Sequence, residues 1–365
     1  MRAFSCGVCG NLLVAENSVC VSCGAAQGFS PAVMRFLPVD VASGAASGAA
    51  SGGAVQCVNL AAAGCNWLVD DGHPGRLCVS CRLTRTRPND EDAAAVAVWA
   101  STESAKRRLV YQLLDLGLPV VPRSDDARGL AFDLLSSARS PVVTGHADGV
   151  VTIDLAEGHD AHREAMRVQM GEPYRTMLGH LRHEVGHYYW QVLVRGNGLV
   201  GDGSVGSQGP PSESPALQRF RHVFGDERAD YRQALQRHYA TGPPRGWAAG
   251  HVSAYATAHP WEDWAETFAH YLHIRDTLQS AAAYGMVVTG PEEPGPGVDL
   301  VALPLEDAAA GDTIGSVVGT WLPLTYALNA VNRSMGKGDL YPFVLTPPVI
   351  SKLGVVHDLV VGVRV

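Results

Sequence analysis

The residues with the clearest chemical potential are His183, Glu184 and His187, in the run Leu181-Arg182-His183-Glu184-Val185-Gly186-His187. Two histidines four residues apart lie one above the other on a helix face, about 5–6 Å apart. That HExxH spacing lets both imidazoles bind one zinc ion while the Glu184 carboxylate stands beside an activated water. With 14 His in 365 residues, the motif would arise by accident in roughly a few hundredths of such chains. It therefore needs a helix beneath it and a third ligand opposite it. A second set of residues has a different chemistry. All 8 cysteines fall in the first 81 residues, as Cys6-x2-Cys9 with Cys20-x2-Cys23, then Cys57-x7-Cys65 with Cys78-x2-Cys81. Two successive groups of four read as two structural zinc sites rather than as disulfides or a redox pair.

Several elements must position these groups. Leu178, Leu181, Val185, Tyr188, Tyr189 and Val192 recur with the 3.6 period, so the motif is expected inside a buried helix over about 174–194, opened by Pro173. His180 shares the face of His183 and His187, as a rival ligand or as a packed histidine supporting them. The strongest partner element is Tyr255-Ala-Thr-Ala-His259-Pro260-Trp261-Glu262-Asp263-Trp264-Ala265-Glu266, where Pro260 marks a helix start. Glu262 and Glu266 are one turn apart on an otherwise aromatic, apolar helix. Burying two carboxylates there is costly unless a cation and a histidine N–H face them, which a zinc site supplies. Glu227, in Phe224-Gly-Asp226-Glu227-Arg228-Ala-Asp-Tyr231, is the competing third ligand; that tract is expected to open a helix reaching about residue 239.

Elsewhere the chain divides by composition. Residues 1–30 read as a zinc ribbon, 38–55 as a flexible Ala/Gly/Ser linker, 56–88 as the second zinc module, and 89–284 as a catalytic domain. Within the last, helices are expected over 99–116 and 129–137. A hairpin is expected to pair 142–144 with 150–155, offering an edge strand to extended substrate. A charged helix should cover 156–170, followed after the motif by a Gly/Ser/Pro loop over 195–217. Residues 285–365 pass through a Pro/Gly-rich loop into two helices, the first kinked or restarted at Pro323, and complete the catalytic domain.

The tracts GEPYRTMLGHLRHEVGHYYW, FGDERADY and YATAHPWEDWAETFAHYLH, with LNAVNRSMGKGDLYPF further on, resemble the bacterial zinc-binding metallopeptidases that carry N-terminal zinc ribbons. The likeness covers essentially the whole chain. More distantly, it is similar to the gluzincin arrangement of the anthrax-lethal-factor and Mlc-titration-factor peptidases, in which a Tyr stands seven residues before a metal-binding Glu within E-x-x-A. Tyr255 and Glu262-Asp263-Trp264-Ala265 match that spacing. The resemblance implies an α+β, mostly helical zincin of gluzincin type behind small ribbon modules. It further implies zinc on His183, His187 and Glu262, Glu184 as general base, Tyr255 as donor to the oxyanion, and Glu266 or Asp226 orienting a ligating histidine. The long gap between HExxH and Glu262 departs from the pattern and leaves Glu227 in contention.

The expected protein is thus a zinc peptidase acting on peptide or protein substrates, with one catalytic and two structural zinc ions, and ribbons that dock substrate or a protein partner. A non-catalytic zinc-ribbon adaptor and a nucleic-acid-associated protease are the alternatives. The net charge of −8 argues against nucleic acid, despite Arg82, Arg85 and Arg87 beside the second module. No run of 18 apolar residues suggests a membrane span, and the cysteine pair in MRAFSCGVCG sits where a signal peptide keeps its apolar stretch, so a cytoplasmic protein is expected. Only Lys106, Lys337 and Lys352 break an all-Arg basic set, which with abundant Ala, Gly and Val points to a high-GC bacterial source.

Overall fold

A computed structural model describes residues 2–47, 53–70, 75–138, 140–170, 175–196, 214–289 and 313–363. The fold is α+β, and it divides into two compact units, one over Ala3–Glu184 and another over Val185–Asn197 and Ser204–Val365. The division falls within the motif helix itself, Met177–Tyr189, which continues into a π-helical turn at Trp190–Val194.

The first unit begins with two cysteine modules on short antiparallel pairs, Phe4–Ser5 with Leu12–Leu13 and Val55–Gln56 with Leu68–Val69, with a hairpin of Gln27–Ser30 and Arg35–Pro38 between them. The tract expected as a free linker is instead tied down on both sides of residues 48–52, which lie outside the described residues. Val39 bridges Ala46, Ala45 bridges Val55, and the Ala46 amide donates to the Ala54 carbonyl at 2.7 Å. Leu37, Val39, Ala54 and Leu68 form a small core there with Ala26 and Ala46. Composition suggested slack because Ala and Gly bring little apolar area; backbone pairing supplies the order instead. Phe4, Phe29, Phe36, Trp67 and Tyr111 then pack ring to ring, with centroids 5.1–5.8 Å apart, joining both modules to the long helix Ala93–Asp115.

That helix starts earlier than its apolar period suggests, because Asp92 caps it by accepting from the Ala95 amide at 3.0 Å. Beside it lies a four-stranded sheet in the order Thr84–Thr86, Ala131–Leu135, Val150–Asp154, Gly145–Ala147. The expected helix over 129–137 is corrected by this: Ala131–Leu135 is a central strand with parallel neighbours on both sides. A strand buried on both faces reads as a short continuous apolar run, which periodicity cannot tell from a helix. The hairpin is real but shifted. Its first strand is Gly145–Ala147, turned at Asp148 and Gly149, whose φ values of 48° and 81° suit a two-residue hairpin turn. The charged helix follows as a 3-10 turn, Leu155–Gly158, and then Asp160–Met170.

In the second unit, helices run over Pro215–Phe224, Tyr231–Thr241, Pro260–Ala283, Ile314–Ser334 and Pro347–Gly362. The 224–231 tract is the connector between the first two of these, not a helix start, since Asp230 is the residue that caps Tyr231–Thr241. Much of the expected 195–217 loop and the Pro/Gly-rich stretch after residue 289 lie outside the described residues. Ile314–Ser334 passes through Pro323 without ending. It is long and apolar enough to cross a membrane by composition, yet it buries Val317, Trp321 and Leu324, with Trp321 5.0 Å from the ring of Tyr341. Phe220, Phe224, Trp264, Phe268 and Tyr189 stack into the aromatic core of this unit.

Candidate metal centre

Glycine in the motif has a steric purpose. A Cβ on Gly186 would sit 3.0 Å from the Ala265 Cα and 3.2 Å from its carbonyl oxygen, so the two segments pack backbone to backbone here. The Trp264 indole N–H donates to the Gly186 carbonyl at 2.9 Å and fixes the register of that contact. Ala265 lies three residues after Glu262, so the close approach carries Glu262 to His187, with Nε2 and Oε2 3.5 Å apart. His183 is one turn earlier on the same helix. The ligand atoms of His183, His187 and Glu262 all lie within 4.8 Å of one another. Glu262 is 1% exposed.

Glu262 is held from behind. Pro260 opens its helix, and the His259 side chain caps it, Nδ1 accepting from the Trp261 amide at 3.1 Å while Nε2 donates to the Ala229 carbonyl at 3.1 Å. The Tyr231 hydroxyl donates to Glu262 Oε1 at 2.5 Å. Tyr255 sits in the 3-10 turn Tyr255–Thr257, and burial, reinforced by the charge of Glu262, holds its hydroxyl protonated well above the usual range. Two imidazoles and one buried carboxylate converging in this way make a donor set of the kind that holds zinc with three protein ligands.

The remaining acidic residues sort themselves. Glu227 is clasped by the Arg221 guanidinium, Nε to Oε2 at 2.8 Å, and Asp226 by Arg228. Glu227 is therefore not the third member of the cluster, and Asp226 is spoken for by an exposed ion pair rather than a ligating histidine. Glu266 stands one turn beyond Glu262, half-buried. Sequence reasoning singled out neither Tyr231 nor Glu157. Glu157 is 6% exposed and accepts from His180 Nδ1 at 2.6 Å and Arg175 at 3.1 Å. His180 Nε2 in turn meets Glu184 Oε1 at 3.1 Å. Burial pushes the Glu157 carboxyl up, but His180 and Arg175 outweigh it and leave the group down at about 2. Burial likewise opposes charge on His180, and the two carboxylates overcome it, pushing the ring up to about 9.

Both cysteine groups assemble. Sγ atoms stand 3.8 Å apart for Cys6 and Cys23 and 3.7 Å for Cys9 and Cys20. In the second group Cys65 is 3.6 Å from both Cys78 and Cys81, with Cys57 completing the four. None is in a disulfide. A tetrahedron with Zn–S bonds of 2.3 Å has edges of roughly 3.8 Å, so these separations fit zinc. Amide donation to sulfur, Val8 to Cys6 and Cys78 to Cys57 at 3.4 Å each, suits thiolates.

Comparison with known proteins agrees with this chemistry. The model of a family described as "putative zinc-binding metallo-peptidase" matches residues 95–359, and a zinc-ribbon domain model matches residues 3–92, across both modules. Uncharacterized proteins of two Mycobacterium tuberculosis strains and of Mycobacterium bovis are 48% identical over 362 residues, covering 99% of this chain and 95% of theirs. No solved structure matches.

Proposed function

Because the chain belongs to the zinc-binding metallo-peptidase family and carries an N-terminal zinc-ribbon domain, we propose that it hydrolyses peptide bonds at a zincin site of gluzincin type. The observation that supports this most is the convergence of His183, His187 and Glu262 within 4.8 Å. Those three residues would hold the ion. Zinc bound there supplies Lewis acidity toward the scissile carbonyl and a nucleophile competent at neutral pH. Glu184, buried beside the ligand set, takes the proton released in the attack and passes it to the leaving amine. Tyr255, kept protonated by burial, donates to the oxygen that gains charge. Glu266 orients a ligating histidine. The two four-cysteine sites hold structural zinc, and the ribbon domain docks protein substrate or partner in the cytoplasm.

Metal analysis tests the inventory. Three zinc per chain are expected, and one or fewer in a folded preparation would sink it. Glu184→Gln should keep all three while losing hydrolysis of labelled casein; retained turnover removes Glu184 as the base. Glu262→Ala should lower occupancy to about two, whereas Glu227→Ala should leave three.

A further inference from the structure

We propose that Glu157 and His180 form a positioning relay for Glu184, clamping one oxygen of the catalytic carboxylate so that the other faces the reaction. The proposal rests on the peptidase reading for the role of Glu184, and on geometry for the relay itself. His180 precedes Glu184 by one helical turn, so their side chains meet on one face. Its Nε2 stands 3.1 Å from Glu184 Oε1 and its Nδ1 2.6 Å from Glu157 Oε2. Both neighbours are buried, Glu157 6% and Glu184 5% exposed.

Ionised carboxylates only accept hydrogen bonds, and a neutral imidazole has one donor. Both contacts are satisfied together only when His180 is an imidazolium. The other groups around the relay agree: Arg175 and the Thr144 hydroxyl face Glu157, at 3.1 and 3.2 Å, so the distal carboxylate remains an acceptor. A buried ion network that served stability alone would be a poor device, since removing charges from water offsets most of their attraction. Here the network ends on the one carboxylate of the HExxH motif. With Oε1 engaged by His180, proton acceptance falls to Oε2, and the side chain cannot swing away without breaking its bond to the part-buried His180 Nε2–H. Glu157 comes from the turn Leu155–Gly158, directly after the strand Val150–Asp154. The sheet therefore sets the orientation of the base through two hydrogen bonds.

The test uses the full-length, zinc-loaded protein with 15N-labelled histidine and fluorescein-labelled casein as probe. Loss of one ring signal in His180→Gln identifies His180. Both ring nitrogens of His180 should be protonated at pH 7, and Glu157→Gln should convert the ring to the neutral form. His180→Leu should keep three zinc and near-unchanged KM while kcat falls about 10–100-fold, as loss of outer support to a metal site does. His180→Gln, which restores one donor toward Glu184, should recover part of that loss. A neutral His180 at pH 7, or an unchanged kcat in His180→Leu, overturns the relay. Zinc-loaded wild type that leaves casein intact counts against the peptidase reading, and the ring nitrogens still decide the relay.

Discussion

At the scale of residues, the centre is built by side chains that hold one another in place through hydrogen bonds. Tyr231 is the clearest case, because its hydroxyl donates directly to the proposed ligand Glu262. Tyr231→Phe should weaken catalytic zinc binding about 10-fold, measured by chelator competition, and an unchanged affinity would show that the bond is incidental. Glu157 and His180 carry a pH signature. The ring is raised to about 9 in the fold and the carboxyl lowered to about 2. The stabilisation from His180 is then complete below its unfolded value of ~6.5 and fades as pH rises through about 9. That from Glu157 is complete above ~4.5 and fades as pH falls toward about 2. The gap in Tm between wild type and Glu157→Gln should be widest near pH 5–6 and narrow by pH 9.5; a gap that widens with alkalinity would contradict the ion pair. The grouping of the motif histidines with Glu262 was legible because spacing and burial cost favour those residue types. Tyr231 and Glu157 were not, since each acts across 31 and 23 residues of chain on partners that only the fold brings near.

At the scale of elements, the site depends on how closely the motif helix approaches the Pro260–Ala283 helix. Gly186→Ala would place a methyl 3.0 Å from the Ala265 Cα, where no flexible side chain can yield. Overpacking of this kind costs about 1–3 kcal/mol. Lowered Tm together with lost catalytic zinc is expected, and full zinc occupancy at wild-type stability would show that the backbones need not touch. Long periodic helices such as Met177–Tyr189 and Pro260–Ala283 could be read from their apolar period, although the first begins at Met177 and the Pro173 expected to open it lies outside the described residues. Ala131–Leu135 was misread as helix because full burial erases the alternation that marks a strand. Pro215–Phe224 escaped notice because its cap, Ser214, stands at the end of a Gly/Ser/Pro-rich stretch whose composition dominates the reading.

At the scale of the whole molecule, the chain carries two kinds of four-cysteine environment besides the proposed catalytic centre. In the first cysteine group Cys9 and Cys23 are exposed, whereas all four thiols of the second group are buried. Stepwise chelation should therefore strip the first site before the second, followed as two phases of zinc release with a colorimetric dye; simultaneous loss would mean that the two sites unfold together. The cysteine spacing made both sites legible, but not their union. The Asn66 amide donates to the carbonyls of Ala15 and Asn17 at 2.7 and 2.8 Å, binding the second module to the first across nearly fifty residues. Ala and Gly content concealed that union.

The Lys352 ammonium lies 2.6 Å from Asp263 Oδ2 and 2.6 Å from the Gly250 carbonyl. Asp263 is 2% exposed and adjoins Glu262 in the chain, and burial pushes its carboxyl up to about 7 even with Lys352 beside it. A ribosome completes the helix that bears Lys352 some ninety residues after it has made Asp263. Until then the carboxyl next to the proposed ligand lacks the ammonium and faces the His251 ring, 3.7 Å away. A chain ending before residue 352 would thus hold the whole HExxH motif yet lack the ammonium that faces the carboxyl next to Glu262.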